Sequence, residues 1–424
     1  MNAEELTKLF DGWADKDGHV ALYLKQKLLP VEGEDGVIFP PTYADIGYNI
    51  DTLSDGTKVA TIDSVGSQAN RMEPMFKSTG KNDDGEELNP LAALVPQVEI
   101  ILNVKEKDGE KHERRQSLLD LAHRSADAVV KATPSLAKII TPAFVALNRH
   151  GNAGPLCSVA PTSLLFGVWD SRDGTGEKRP RLVRSIIRAW DVDVLHSAAQ
   201  FNSIWKSLDE ETQQALKEEA EKKKTELSEV GLADAPATFR KTDKVAQFIS
   251  GAPNLEARVL GGVLAKGPIE RHVTINLVAL RSLRGVNEDT KQIQRYLLSL
   301  ALLAASTELD MFLREGCLLR YADEKDEWNE VPRRGEPKPI KNFPSRNDLV
   351  DFAKKSVEPF KAKWPKDENE HPYPLEHTFG LDAAKGLLSK SEAKRAAKKG
   401  KGKAGNDPKA DGQQAAPEAE TAAS

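Results

Sequence analysis

The chain predicts an α+β fold built around a mainly antiparallel sheet. Three observations predict it: β-branched runs that read as strands, apolar residues at helical spacing, and the interleaving of the two along the chain. The same interleaving fits an α/β fold if the strands run parallel, and strand order is not legible at this level.

The elements follow in order. Leu6, Leu9, Phe10 and Trp13 suggest a short helix, and Leu22 and Leu24 an extended segment after it. Phe39 to Gly47 breaks regular structure, because Pro40 and Pro41 cannot sit in a helix interior. Lys58 to Val65 favours a strand by its β-branched content, and Gln68 to Glu73 a turn or helix start. Val98 to Val104 reads as a buried strand feeding a helix over Gln116 to Ala132, where Leu118, Leu119, Ala122, Ala126, Val129 and Val130 share a helical spacing. Leu164 to Trp169, Leu182 to Trp190 and Val273 to Leu280 read as further strands, the middle one also fitting a helix. Lys291 to Leu313 reads as a helix. Ser207 to Val230 reads as a solvated charged helix with a Ser207/Glu210 capping box and twelve charged residues between Asp209 and Glu229.

Lys390 to Lys403 holds seven basic residues against Glu392 alone, and an Ala, Gly, Gln, Pro and Glu-rich stretch follows to Ser424. Such a composition cannot bury enough apolar surface to offset ordering entropy. We therefore expect a body over residues 1–387, carrying the charged insertion at about 205–231, and a disordered tail over 388–424.

Lys plus Arg number 60 and Asp plus Glu 65, a net charge of −5. A protein that coats nucleic acid with its whole surface is excluded, so nucleic-acid binding has to be local. Only Cys157 and Cys317 occur, without CxxC spacing, which excludes a disulfide framework and a zinc ribbon and suits a reducing cytoplasm. The N-terminus shows no apolar stretch after a basic start, so no signal peptide is expected. Tyr296 to Ala305 is about half the roughly 20 residues of a membrane span and reads as a buried helix.

Against this acidic background one stretch stands out. Arg172, Lys178, Arg179, Arg181, Arg184 and Arg188 face only Asp170, Asp173 and Glu177, and the glycines Gly174 and Gly176 precede the run. Guanidinium forks and backbone N–H groups in such a segment suit a polyanion, of which a nucleic-acid backbone is the natural example. Arg184 and Arg188 could instead pair with Asp191 or Asp193 inside the fold. Ser64, Ser67, Gln68, Asn70 and Arg71 form a second polar cluster, able either to hold phosphate and ribose or to cap a helix. In a third segment Gly261, Gly262 and Gly267 accompany the donors Lys266, Arg271 and His272, and hairpin geometry explains these glycines equally well.

Catalytic signatures are mostly absent: there is no GxxxxGK[ST] loop, HExxH, GxSxG or EF-hand loop, and GTGEKR lacks the third glycine of a dinucleotide fingerprint. His371 and His377 are separated by Pro372 and Pro374, which prevent a helical metal face. No cofactor is expected.

FPPTYADIGYNID, DSVGSQANRMEPMF, RPRLVRSIIRAWDV, GGVLAKG with RHVTINLVALRSLRG, and YLLSLALLAA followed by LREGCLL together resemble a known family. It is the backbone subunit, of Cas-seven (Csb-one) type in the RAMP superfamily, of the type I-G CRISPR effector complex (Cascade), formerly subtype I-U. The resemblance runs over most of residues 20 to 320. It implies a ferredoxin-like, RRM-like palm with large insertions, thumb and finger-like elements in a right-hand shape, and copies stacked head to tail on a guide RNA. Implied partners are crRNA, the target DNA strand, further copies of the chain, a large subunit, a fused guide-end and processing subunit, and a separate helicase-nuclease. No membrane partner is implied.

A non-catalytic scaffold in antiviral defence is the implied role, with sequence read by the guide and shape by the protein. Guide-backbone contact falls to Arg71, Arg172, Lys178, Arg179, Arg181, Arg184 and Lys266, with Gln68, Asn70 and Arg271 beside them. The alternative is a metal-dependent ribonuclease cutting target RNA with a loop aspartate, for which Asp45, Asp51 and Asp63 sit in suitable segments. Guide processing by His19 or His272 as acid/base is a weaker alternative.

Overall fold

The computed structural model describes residues 1–389 except 16, 44–45, 106–110, 171–176, 197–203, 226, 228–231, 233–259, 287–288, 324, 365 and 367–374. The charged segment beyond 389, with the tail expected there, lies outside the described residues. So do Asp45, Arg172 and His371.

A nine-stranded antiparallel sheet organises the fold. Its centre is formed by β1 (Ala21–Pro30) and β11 (Ile269–Asn276), paired over eight residues from Ala21↔Asn276 to Leu28↔Ile269. Outside β11 lie β8 (Val183–Trp190), β3 (Lys58–Asp63) and β2 (Ile50–Thr52). The other edge of β1 is shared along its length. Its end pairs with β13 (Cys317–Tyr321), which leads to β12 (Met311–Arg314), and its start pairs with β14 (Glu327–Val331), which leads to β15 (Lys338–Pro339).

The strands β13, β1, β11 and β8 stand in that spatial order, all antiparallel. In chain order this is fourth, first, third, second, the βαββαβ arrangement of a ferredoxin-like palm. The crossover helices α2 (Val65–Met72) and α9 (Asp289–Ser306) pack on the inner face, against β8 and against β11 and β8. The expected α+β class and antiparallel sheet therefore hold, and the α/β alternative does not.

Period-two alternation decides which face is covered. Leu22, Leu24 and Leu28 of β1, Val273 and Ile275 of β11, and Val183 and Ile187 of β8 are all buried. Leu22, Leu24, Val273, Ile275 and Val183 meet Leu297, Leu300 and Leu303 of α9 in the main core, while Leu28 and Ile187 join a second cluster with Ile62 and Val263, each side chain contributing about 1.5–3 kcal/mol when fully buried. Tyr296 stacks on Phe360 of α10 (Arg346–Lys361) at 4.9 Å and donates its hydroxyl to the Leu94 carbonyl at 2.6 Å. The helix α1 (Ala3–Ala14), closed by an Asn2/Glu5 capping box, buries Leu6, Phe10 and Trp13 in the same core.

Much of the chain between the first two palm strands builds a helical lobe. It holds α3 (Ala128–Lys131), α4 (Pro134–His150), α5 (Gly154–Val159) and α6 (Pro161–Phe166), with a small sheet of β16 (Leu375–Thr378), β4 (Val98–Lys105) and β5 (Lys111–Ser117). A two-stranded ribbon, β9 (Val192–His196) with β10 (Leu260–Ala265), extends the β8–β11 hairpin. Gly262 there has φ +105, and a Cβ would fall 2.4 Å from Val37 Cγ1, so close approach demands glycine.

Five expectations need correction. The helix expected over Gln116 to Ala132 is instead the end of β5, two 3₁₀ turns and α3, because Arg124 adopts φ +52 and divides the apolar series. Leu164 to Phe166 end α6, and only β6 (Val168–Asp170), paired with β7 (Glu177–Arg179), is extended. Strand β11 stops at Asn276, whose side chain caps the short helix α8 (Leu277–Ser282). The charged helix is α7 (Glu210–Lys223), and its cap is Asp209, not Ser207. The long helix expected to Leu313 ends at Ser306, and residues 381–389 form a last helix.

Candidate nucleic-acid interface

Covering one face of the palm leaves the other to solvent. On β8 the alternate residues Arg184 and Arg188 point outward, Arg184 exposed and Arg188 half-buried. Opposite them on β11 stand Thr274 and Glu270, and on β1 the outward residues are Tyr23, Lys25 and Lys27. Arg320 of β13, opposite Leu29, adds another exposed cation.

Partners decide which charges are available. Lys25 pairs with Glu270 at 2.9 Å and Lys27 with the exposed Glu34 at 3.6 Å. Neither Arg184 nor Arg188 pairs with a carboxylate among the described residues. Asp193, one of their expected partners, instead holds Lys266 at 2.7 Å, which raises the Lys266 pKa. Arg184 and Arg188 therefore keep their full Coulombic attraction for an incoming anion.

At the edge of this face lies a cluster that the sequence reading half found. Arg181 stands just before β8, half-buried, with its stem against Gly167. A Cβ on Gly167 would sit 2.8 Å from Arg181 Cγ, and φ is +76, so glycine is needed at this position. Arg181 Nε is buried without a hydrogen-bond partner among the described residues. Burial, with Arg124 and Arg184 close by, lowers its pKa.

Arg124 is buried behind it, donating to the Gly167 carbonyl at 3.2 Å and to Asn70 Oδ1 at 3.3 Å, with its guanidinium 5.4 Å from the Phe166 ring centre. Its Nε lies 2.6 Å from Glu73 Oε2, an ion contact rather than an aligned hydrogen bond. Arg124 alone pairs with the buried Glu73, and with Arg181 and Arg184 near it the cluster carries an excess of positive charge that a phosphate would complement.

Burial pushes Glu73 up to about 7, while Arg124 and Thr162 pull the other way. A carboxyl that holds its proton more tightly when folded contributes stability below its ordinary 4.5, lost as pH rises through about 7. The effect is at most about 3 kcal/mol. His377, whose pKa burial lowers, contributes with the opposite sign. The expected result is that urea melts of Glu73→Gln lose a fall in stability between pH 4.5 and 7 that the parent chain shows; parallel curves would refute it.

The ten residues expected to hold the backbone separate into groups. Arg181 and Arg184 meet at the cluster, with the exposed Asn70 beside Arg124. Arg179 is half-buried in β7 opposite Val168, and Lys178 stands opposite Trp169. Lys266 sits at the base of the β9–β10 ribbon. Gln68 and Arg271 are corrections: both are fully buried and bond to each other at 3.1 Å, so neither reaches a ligand. Arg71 ties α2 to β12, donating to the Phe312 and Leu313 carbonyls and to Asp63. Asp63 is buried in those bonds. Sequence reasoning missed Arg124, Lys25 and Lys27; the alternation in ALYLKQKLLP was the available signal for the two lysines.

Fold and surface together define an RRM-related palm whose outer face suits a polyanion. Residues 22–194 match a protein family described as CRISPR-associated protein GSU0053. The matched span starts in β1 and ends in β9, and so includes α2, Arg124, Arg181 and β8. No curated protein matches the chain. The family match supports a CRISPR-associated protein. No helix among the described residues is long and apolar enough to cross a membrane.

Proposed function

We propose that the chain is the non-catalytic backbone subunit of a type I-G CRISPR effector complex, assembling in copies along crRNA. It holds the guide's sugar-phosphate backbone and leaves the bases to pair with target DNA. The observation that carries this reading is the outward cationic row of β8, Arg184 and Arg188, continuous with Arg181 and without a carboxylate partner among the described residues. Guide holding has to ignore base identity, and guanidinium contacts to phosphate do so. The net charge of −5 fits a subunit that confines its positive surface to one groove.

The purified chain is expected to bind single-stranded RNA with little sequence preference. Log affinity should fall against log salt with a slope of about −0.7 per neutralised phosphate. Fluorescence anisotropy across a salt series measures it, and a salt-independent affinity rejects the proposal. Native mass spectrometry of the assembled complex should show several copies of the chain per guide.

A further inference from the structure

The palm's topology has a local consequence at its centre. The two middle strands of the four are β1 and β11, and their outward faces carry Tyr23 and His272. Tyr23 stands opposite Thr274 and Lys25 opposite His272, so the two rings are diagonal neighbours, with centroids 5.7 Å apart and planes inclined by 40°. Both are partly exposed, His272 by 24 %.

Their polar edges are already satisfied. The Tyr23 hydroxyl hydrogen-bonds His272 Nδ1, His272 Nε2 meets Glu270 Oε2 at 2.9 Å, and Glu270 Oε1 meets Lys25 at 2.9 Å. With the Tyr23 hydroxyl donating to Nδ1, the Nε2–H donates to the carboxylate, and the relay fixes both rings. Glu270 and Lys25 balance each other's charge. What remains for a ligand is aromatic surface, pre-ordered so that little side-chain entropy is lost on binding. One strand away, about 4.8 Å, runs the Arg184 and Arg188 row.

Resting on the RNA-backbone reading above, we infer that Tyr23 and His272 form a stacking platform for one unpaired nucleobase of single-stranded RNA. Arg184 and Arg188 hold the phosphates beside that nucleotide. Every base has a π-face, so the platform tolerates any guide sequence. It differs from the Arg181 cluster in what it reads: the cluster needs only phosphate, whereas the platform needs a base.

Anisotropy with the full chain, a labelled oligouridylate and a ribose-phosphate oligomer of equal length without bases separates the two. The parent chain should bind oligouridylate about tenfold more tightly than the abasic oligomer. Tyr23→Ala should remove that factor for oligouridylate and leave abasic binding unchanged, while Tyr23→Phe keeps most of it. Equal affinity of the parent chain for both oligomers overturns the platform and leaves the backbone reading intact. Absence of binding to either overturns both. Photocrosslinking of 4-thiouridine RNA to the unaltered chain gives a readout that does not depend on a variant folding: adducts on the β1 or β11 peptides are expected, and adducts confined to other peptides refute the platform.

Discussion

Arg271→Ala is expected to destabilise the fold by about 3–5 kcal/mol, with no direct effect on a bound ligand. The side chain is fully buried, and among the described residues no carboxylate touches its guanidinium. It donates to Gln26 Oε1 at 2.6 Å, to the Ala305 carbonyl at 3.1 Å, to Gln68 Oε1 at 3.1 Å and to Ser185 Oγ at 3.2 Å, and meets Met72 Sδ at 3.3 Å. The charge is compensated at one remove. Gln26 donates to both oxygens of Asp326 at 3.0 and 2.9 Å, and Gln68 donates to Asp63 at 2.6 Å. Each amide accepts from the cation with its oxygen and donates to an anion with its nitrogen, relaying the charge outward. Removing the guanidinium strands buried acceptors on two strands and two helices, and opens a cavity.

Two further variants identify the mechanism. Arg271→Lys supplies three donors on a compact head and cannot fork across Gln26, Gln68 and Ala305 at once, so it should recover little. Arg271→Met restores volume but not donors and should fall between parent and alanine. Urea denaturation orders the three. Equal stability of Arg271→Ala and the parent chain would mean that the buried relay contributes nothing.

Arg271 also shows what the sequence made legible. In IERHVTIN, strict alternation places Arg271 with Ile269, Val273 and Ile275, and therefore on the covered face, while His272 goes outward. That parity was readable without coordinates. Its partners were not: Gln26 and Gln68 lie more than 200 residues away, and only the strand order brings them to it. Arg184 and Arg188 fit either a helix or a strand by spacing, and on β8 their even separation keeps them on one face. The apolar series from Leu118 to Val130 had helical spacing, yet the left-handed Arg124 interrupts it, because that residue turns inward to Glu73 and the Gly167 carbonyl. Local periodicity therefore located the strands. Long-range pairing decided which arginines are structure and which are surface.

Arg184→Glu with Arg188→Glu is expected to weaken RNA binding at least a hundredfold at low salt and to reduce the salt slope by about 1.4, or 0.7 for each lost phosphate contact. The fold should be unaffected, since both side chains lie on the outward face of β8 without carboxylate partners among the described residues. Arg181 is a poorer site for the same test. Its stem is packed on Gly167 and its head lies near Arg124, so a glutamate there would recruit the neighbouring guanidiniums and rebuild the cluster. Reversing two charges also lowers the net charge by four, which weakens any polyanion's approach. A matched control separates that general effect: Lys354→Glu with Lys355→Glu changes the net charge equally on the exposed side of α10. At 0.15 M salt the Debye length is about 8 Å, so distant charges act weakly while a directly contacted phosphate is still felt. A large loss on β8 with little loss on α10 assigns the effect to contact. Equal losses in the two double variants would show that overall charge governs the affinity and that the β8 row is not the interface.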